Sequence, residues 1–410
     1  MKKLMQGLAV VINCMIASVL VAALYIQTNL PDSYSVVAGE EINLNYPVLE
    51  MRHTSKTTEP QVYASVGNSY SMDLKLLGAV QVKTVEINVV DRKMVKVCGT
   101  PFGIKMFTDG LMVVGMSDIP YHGGRANPAK EAGIQVGDIM EKINGVKLTS
   151  NEQLGKLVEE CAGAPLQVQV RRSGQTFVTT LQPVKSSGDE KYRAGVWVRD
   201  SSAGIGTMTY YDPNSGIFTG LGHAVCDVDT GDIMPLQSGE AVAAEITGCK
   251  KGQSGTPGEL KGKFSDGAPL GQLLSNTSTG IYGTTSSPFF NAGEMMPVAM
   301  SYEVQAGKAV ILTTTGGTTP EEYEIEIEKV IVGDSGNGQN MVIHITDQRL
   351  LEKTGGIVQG MSGSPIIQNG MLVGSVTHVF VNDPTRGFGI FAENIQNNAK
   401  VAINIVHNIA

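Results

Sequence analysis

Apolar and polar positions divide this chain into stretches of different period. Lys2 and Lys3 precede an apolar run over residues 8–26, interrupted only by Asn13, Cys14 and Ser18, which is long enough to cross a bilayer as a helix. Over residues 27–71 no period is sustained, and Pro31, Pro47 and Pro60 lie among Asn and Ser, which predicts a tether with some extended segments. Alternation starts at Val80 and Val82 and continues through Val85, Ile87 and Val89, the period of two that strands require.

Between Met94 and Lys185 the pattern predicts strand, strand, short helix, strand, longer helix, strand, strand. The longer helix is the best-marked element. Ser150 and Gln153 form a capping box, Leu154, Leu157, Val158 and Cys161 share one face, and Gly163 stands where a C-cap glycine belongs. A polar linker occupies 184–189. From about Tyr192 some two hundred residues read as short strands, at 204–211, 323–328, 341–345 and 371–381, separated by glycine and proline turns. Many short strands favour a barrel or sandwich over a parallel α/β sheet. The same period of two puts Glu324, Glu326 and Glu328 on one solvent face, which outweighs a metal reading of that strand.

Composition narrows the classes. A chain that is 42% hydrophobic and 17% charged, with 49 glycines, is a folded, turn-rich, mainly β protein with room for two or three cores. A net charge of −8 without a Lys/Arg cluster excludes a nucleic-acid footprint. Cys14, Cys98, Cys161, Cys226 and Cys249 show no C-x-x-C spacing, so neither a zinc knuckle nor a redox motif is indicated; Cys14 lies in the membrane-like run, and the other four are expected as buried free thiols. Gly258-x-x-x-Gly262-Lys263 lacks P-loop spacing, and no cofactor or metal is expected. Lys2 and Lys3 hold the N-terminus on the cytoplasmic side, so the remainder is exported, although Val21-Ala22-Ala23 could also mark a cleavage site.

The chemistry concentrates in Gly360-Met361-Ser362-Gly363-Ser364-Pro365, between two apolar runs. Small residues let the chain turn sharply around a serine, and the backbone N–H groups of Gly360 and Ser362 can converge on a developing oxyanion. A serine nucleophile needs a base. His53 lies in the tether, His122 in a loop and His407 near the end, while His344 and His378 fall in strand patterns where structural or surface histidines are commoner. His223, in Leu221-Gly222-His223-Ala224-Val225, remains. For an orienting acid Asp347 is a candidate, and Asp227, Asp229, Asp334 and Asp383 stay open.

Residues 94–185 resemble a PDZ domain. Pro101-Phe102-Gly103-Ile104 resembles its x-Φ-G-Φ carboxylate loop, residues 128–134 and 137–140 its short helix and following strand entry, and Ile143-Asn144-Gly145 its strand turn. The resemblance implies capture of a peptide terminus by Pro101, Phe102, Gly103 and Ile104, with strand addition beside Ile104, Lys105 and Met106. The serine turn, residues 366–370, 377–384 and 221–225 together resemble the stage IV sporulation protein B family, PDZ-containing serine peptidases of endospore-forming bacteria. That resemblance implies Ser362 as nucleophile, His223 as base, Asp347 as acid, and Gly360 and Ser362 as oxyanion donors. It further implies self-cleavage in the N-terminal part and cleavage of stage IV sporulation protein FA, a membrane partner that restrains an intramembrane protease, leading to mother-cell sigma factor activation. The protein would be exported from the forespore into the space between the two membranes. Met361 stands where the commoner G-D-S-G-G-P pattern has Asp, and Ser364 replaces its second glycine.

The expected architecture is therefore mainly β and multidomain: membrane anchor or signal at 1–30, tether and N-terminal strands at 31–93, PDZ domain at 94–185, and a trypsin-like β-barrel peptidase at 190–410. A non-catalytic PDZ adaptor with a degenerate peptidase domain is the rival, and the presence of Ser362 and His223 argues against it.

Overall fold

The computed structural model describes residues 2–42, 48–54, 65–265, 267–285, 293–331 and 338–409. The first apolar run is a single helix, α1 (Lys2–Asn29), and its Met5–Asn29 portion has a mean hydropathy of 2.5 and is mostly exposed, with Ile26 buried near its end. By length and composition it can cross a membrane. Ile26 and Leu30, at the foot of α1, pack onto a four-stranded sheet built from β1 (Ser33–Val37), β2 (Leu49–His53), β3 (Ser69–Leu76) and β4 (Val80–Val90), in the order β1-β4-β3-β2. Val36, Leu74, Val85, Ile87 and Val89 form its core. The tether expected over 27–71 is thus partly folded sheet. Two of its strands are five residues long, too short to display a period. Residues 43–47 and 55–64 of that tether lie outside the described residues.

Strand β5 (Met94–Val97) and the long β6 (Pro101–Met116) follow. The PDZ-like module adds α2 (Pro128–Glu131), β7 (Ile139–Ile143), α3 (Asn151–Glu160), β8 (Leu166–Arg172) and β9 (Gln175–Leu181). The cap of α3 forms as the spacing predicts: the Gln153 amide donates to Ser150 Oγ at 3.1 Å, while Gln153 Oε1 accepts from the Thr149 amide at 2.8 Å. Leu154 and Val158 are buried, with Leu157 and Cys161 packed beside them.

The chain then enters β10 (Val196–Asp212), which pairs antiparallel with β6 from Val196–Met116 through Thr207–Pro101. These two strands each serve two bodies. Beyond Gly110, β6 pairs with β7, at Leu111–Met140 and Met112–Ile139, and completes the module's sheet. Before Gly110, β6 belongs to a closed ring with β11 (Ile217–Gly220), β12 (Leu236–Lys250), β13 (Gly271–Thr277) and β14 (Gly280–Thr284), in the circuit β6-β12-β13-β14-β11-β10. The PDZ-like module is an insertion between two strands of this first barrel. The boundaries 94–185 and 190–410 are corrected accordingly, since the barrel already begins at Pro101 and the module takes its last strand from 196–199.

The carboxylate loop expected at Pro101, Phe102, Gly103 and Ile104 is corrected with them. Ile104 pairs with Gly204 on one side and Ala241 on the other, and Lys105 and Met106 are likewise flanked on both sides. Phe102 and Ile104 point into the barrel core with Met208, Phe218 and Ile281. Neither edge can accept a peptide strand. An x-Φ-G-Φ tetrapeptide and a barrel strand with one glycine are the same pattern, and pairing alone separates them.

A second closed barrel, in the order β15-β16-β17-β20-β19-β18, comprises β15 (Gly307–Thr313), β16 (Glu321–Val330), β17 (Met341–Ile345), β18 (Pro365–Gln368), β19 (Met371–Phe380) and β20 (Asp383–Phe391). Closure removes the sheet edges. In β16, Tyr323, Ile325 and Ile327 are buried while Glu324 and Glu326 face solvent, as the alternation predicts. Helix α4 (Gln348–Thr354) leads from β17 toward the serine turn, and α5 (Ala392–Ile409) lays Ile395, Ala399 and Ala402 against residues of both barrels, including Tyr282 and Leu372. All five cysteines are free thiols, but of the four expected to be buried only Cys98 is: Cys161 and Cys249 are half-buried and Cys226 is exposed.

Candidate active site

The site lies where the barrels meet. Strand β11 ends at Gly220, and the chain turns through Leu221 and Gly222, both at φ 69°. A leucine in the left-handed region is strained, and it is held by burial and by its N–H donating to the Thr207 carbonyl at 3.2 Å. This turn presents His223. Opposite it, Gly360 (φ 96°) and Gly363 (φ 94°) frame Met361 and Ser362 just before β18. A Cβ on residue 363 would overlap the Thr207 carbonyl and the Leu221 amide, so glycine is required for the serine turn to seat against the histidine turn.

Ser362 and His223 line one cleft of about 480 Å³, with Thr377, His378, Val358 and Val379 among its walls and no Asp, Glu, Lys or Arg. The His223 Nδ1–H donates to the Ala224 carbonyl at 2.7 Å, which leaves the lone pair on Nε2. The ring of His378 stacks against it, 4.8 Å between centroids and tilted by 36°. Burial lowers the pKa of His223 to about 4, with the Ala224 hydrogen bond opposing and His378 adding to the drop, and burial also lowers that of His378. Both rings are therefore neutral at pH 7. The Ser362 hydroxyl donates to the Thr377 carbonyl at 2.8 Å.

The backbone of the serine turn is divided. Met361, Gly363 and Ser364 donate their amides to Val358, Val376 and Met361, at 3.1, 2.8 and 2.9 Å. Among the described residues the amides of Gly360 and Ser362 donate to no protein acceptor. Ser364 is fully buried and its hydroxyl donates to Thr313 Oγ1 at 2.9 Å, so it packs the turn from below.

The structure brings Ser362, His223, Gly360 and the free amides together. It does not bring Asp347 to them. Asp347 is the N-cap of α4, and its carboxylate accepts from the Arg349 amide at 2.9 Å, from Arg349 Nη2 at 2.7 Å and from the Glu324 amide at 3.3 Å. The Arg349 guanidinium, with the two amides, lowers its pKa to about 2. Asp227 and Asp229 are engaged by Arg199, Asp383 by Thr385 and Arg386, and Asp334 lies outside the described residues. The tautomer of His223 is set by a backbone carbonyl in place of a carboxylate. Sequence reasoning passed over Thr377 and His378, which look like strand positions, and Thr207, which looks like one more polar position in an alternating run. Nothing local marks them, because the partners that tie them to the site are 14 to 155 residues away in the chain. Among the described residues no group of three His, Cys, Asp or Glu is placed to hold a metal.

Two closed six-stranded barrels with a serine turn at their junction define the trypsin-like class of serine peptidases, here with a PDZ domain set into the first barrel. The sequence profile of the SpoIVB peptidase S55 family matches residues 190–396, half of the chain, and the chain belongs to that family. A PDZ-domain profile matches residues 125–172, between the two shared strands. A putative zinc metalloprotease of Bartonella henselae, BH06270, is 34% identical over 89 residues, 22% of this chain, and the match spans about a quarter (24%) of that relative's length. Among solved structures, the Rv3671c protease from M. tuberculosis in its active form is similar over 48% of this chain and 72% of its own, at 15% identity and a TM-score of 0.29. The HtrA-type protease AlgW with a decapeptide is similar over 50% of this chain and 55% of its own, at 14% identity and a TM-score of 0.31.

Proposed function

We propose that this serine peptidase is an endopeptidase in which Ser362 attacks a peptide carbonyl and His223 takes its proton. The observation that carries the reading is the pair of uncommitted amides, Gly360 and Ser362, beside a serine that shares its cleft with a neutral histidine. The hydroxyl leaves the Thr377 carbonyl by rotation about χ1 and donates to His223 Nε2, and the serine oxygen then bonds to the carbonyl carbon. The tetrahedral oxyanion is held by the two amides, and the histidinium returns its proton to the leaving amine. The Ala224 carbonyl steadies the imidazolium during this passage. Asp347 supports the scaffold as the cap of α4, and its family-implied part as orienting acid rests on resemblance alone.

The substrates proposed are a membrane-bound regulator of the stage IV sporulation protein FA type and the chain itself, with cleavage of the regulator releasing an intramembrane protease and so activating the mother-cell sigma factor. Residues 1–30 anchor the protein or direct it out of the forespore, toward the space between the two membranes. The PDZ domain offers peptides the edge of β10 at 196–199, which among the described residues pairs only with β6 and runs beside α3. Co-expression of the full chain with the regulator tests the reading: Ser362→Ala is expected to abolish both regulator cleavage and self-cleavage. Unchanged cleavage by that variant would sink the nucleophile assignment.

A further inference from the structure

The serine turn contains its own weakness. Gly360, at φ 96°, has no Cβ to limit its own rotation, and the peptides around it are held by hydrogen bonds: the Leu260 amide donates to the Gln359 carbonyl at 2.8 Å, on the peptide that carries the Gly360 N–H, and the Met361 amide donates to the Val358 carbonyl at 3.1 Å. A further restraint comes from β10. Thr207 Oγ1 donates to the Gly360 carbonyl at 2.8 Å, and the Thr207 amide donates to the Ser362 carbonyl at 3.0 Å. These bonds hold the Gly360–Met361 and Ser362–Gly363 peptides, which flank the Met361–Ser362 peptide that carries the Ser362 N–H. The Thr207 carbonyl accepts from the Leu221 amide at 3.2 Å, two residues before His223. One buried residue thus ties the nucleophile turn to the histidine turn. Thr209, two residues on and also buried, repeats the pattern by donating Oγ1 to the Gly363 carbonyl at 2.8 Å.

We propose that Thr207 is a positioning residue for catalysis, whose hydroxyl holds the Gly360–Met361 peptide and thereby keeps the adjoining Ser362 amide aimed into the cleft. The inference rests on the assignment of Ser362 and Gly360 given above. Its backbone bonds survive any side-chain change, so the hydroxyl is the part that mutation isolates. Without it, the Gly360–Met361 peptide keeps only the Met361 bond to Val358 and can tilt, so the Ser362 amide loses its aim at the oxyanion while the substrate-binding walls stay in place.

The test is the rate at which a fluorophosphonate probe labels the full chain in detergent, with folding checked by circular dichroism and thermal melting. Thr207→Val keeps the shape and removes the hydroxyl, and it is expected to slow labelling on the order of 10²-fold, the scale of losing one oxyanion donor. Thr207→Ser keeps the hydroxyl and removes a methyl, and it is expected to label within a few-fold of the parent. Thr207→Ala is the companion variant should valine crowd the site, with the same slowing expected. A purely packing role predicts the opposite order, with Thr207→Ser impaired and Thr207→Val unaffected, and that order would overturn the proposal. Labelling that persists in Ser362→Ala overturns the nucleophile assignment and the proposal with it, and is told apart because it leaves the serine variant labelled.

Discussion

His223 shows how a single environment selects a protonation state. An unshifted imidazole of pKa 6.5 is partly protonated near neutrality, whereas burial in the cleft wall brings this one to about 4. A general base must be neutral to act, so activity is expected to hold level from pH 8 down to about 5 and to fall as the pH approaches 4. A pH–rate profile for probe labelling checks this, and a midpoint near 6.5 would show that the ring is open to water in the working enzyme. The same depression has a stability consequence of fixed sign. Between pH 6.5 and about 4 the unfolded chain takes up a proton that the folded ring refuses, so folded stability drops as pH falls through that window. Candidate chemistry was legible at this scale because serine, histidine and their glycine neighbours form short motifs. The acid was not, because the spacing of an aspartate says nothing about where its carboxylate points: Asp347 precedes a helix and caps it.

At the scale of elements, β6 and β10 decide the architecture. Each is long enough to cross from the PDZ sheet into the first barrel, and the crossing is marked by Gly110 at φ 91° in β6 and by register shifts at Trp197/Val198 and Arg199/Ser201 in β10. Helix α3 was readable to its caps, since its signals are local. The strand that completes the module was not, since β10 follows the PDZ segment in sequence and returns to pair with β6. A fragment covering residues 110–200 is therefore expected to fold as a cooperative unit, and a fragment covering 94–185 is not, because it lacks 196–199 and exposes the apolar barrel strand 101–106. Dispersed amide resonances and a sigmoidal urea transition for the first fragment alone would bear this out, whereas a folded 94–185 would remove the shared-strand description.

For the whole molecule, the insertion links the PDZ domain to the histidine turn. Arg199, on the PDZ half of β10, pairs with the buried Asp227 at 2.9 Å and with Asp229 at 2.7 Å, both in the loop that follows His223. Asn276 holds that loop from the barrel side, donating to the Val225 and Met234 carbonyls and accepting from the Val225 amide. Removing the arginine strands a carboxylate that has no exposed surface, so Arg199→Ala is expected to cost about 3 kcal/mol of folding stability, in line with breaking a buried pair. Urea unfolding at neutral pH measures it, and a loss below about 0.5 kcal/mol would place the pair with surface ion pairs of little consequence.

What the sequence determined by itself is whatever depends on neighbours within a few positions. The membrane-length apolar helix, the mainly β character, the capped α3 and the paired serine and histidine motifs are all of that kind, because period, capping and turn chemistry act over a handful of residues. Only the tertiary structure decided that the strand at 101–106 is a barrel wall, that the PDZ domain is inserted, that a carbonyl sets the His223 tautomer, and that Thr207 joins the serine and histidine turns. Each of these depends on which backbone edge pairs with which, and partners up to about 150 residues apart leave no periodic trace in the chain between them.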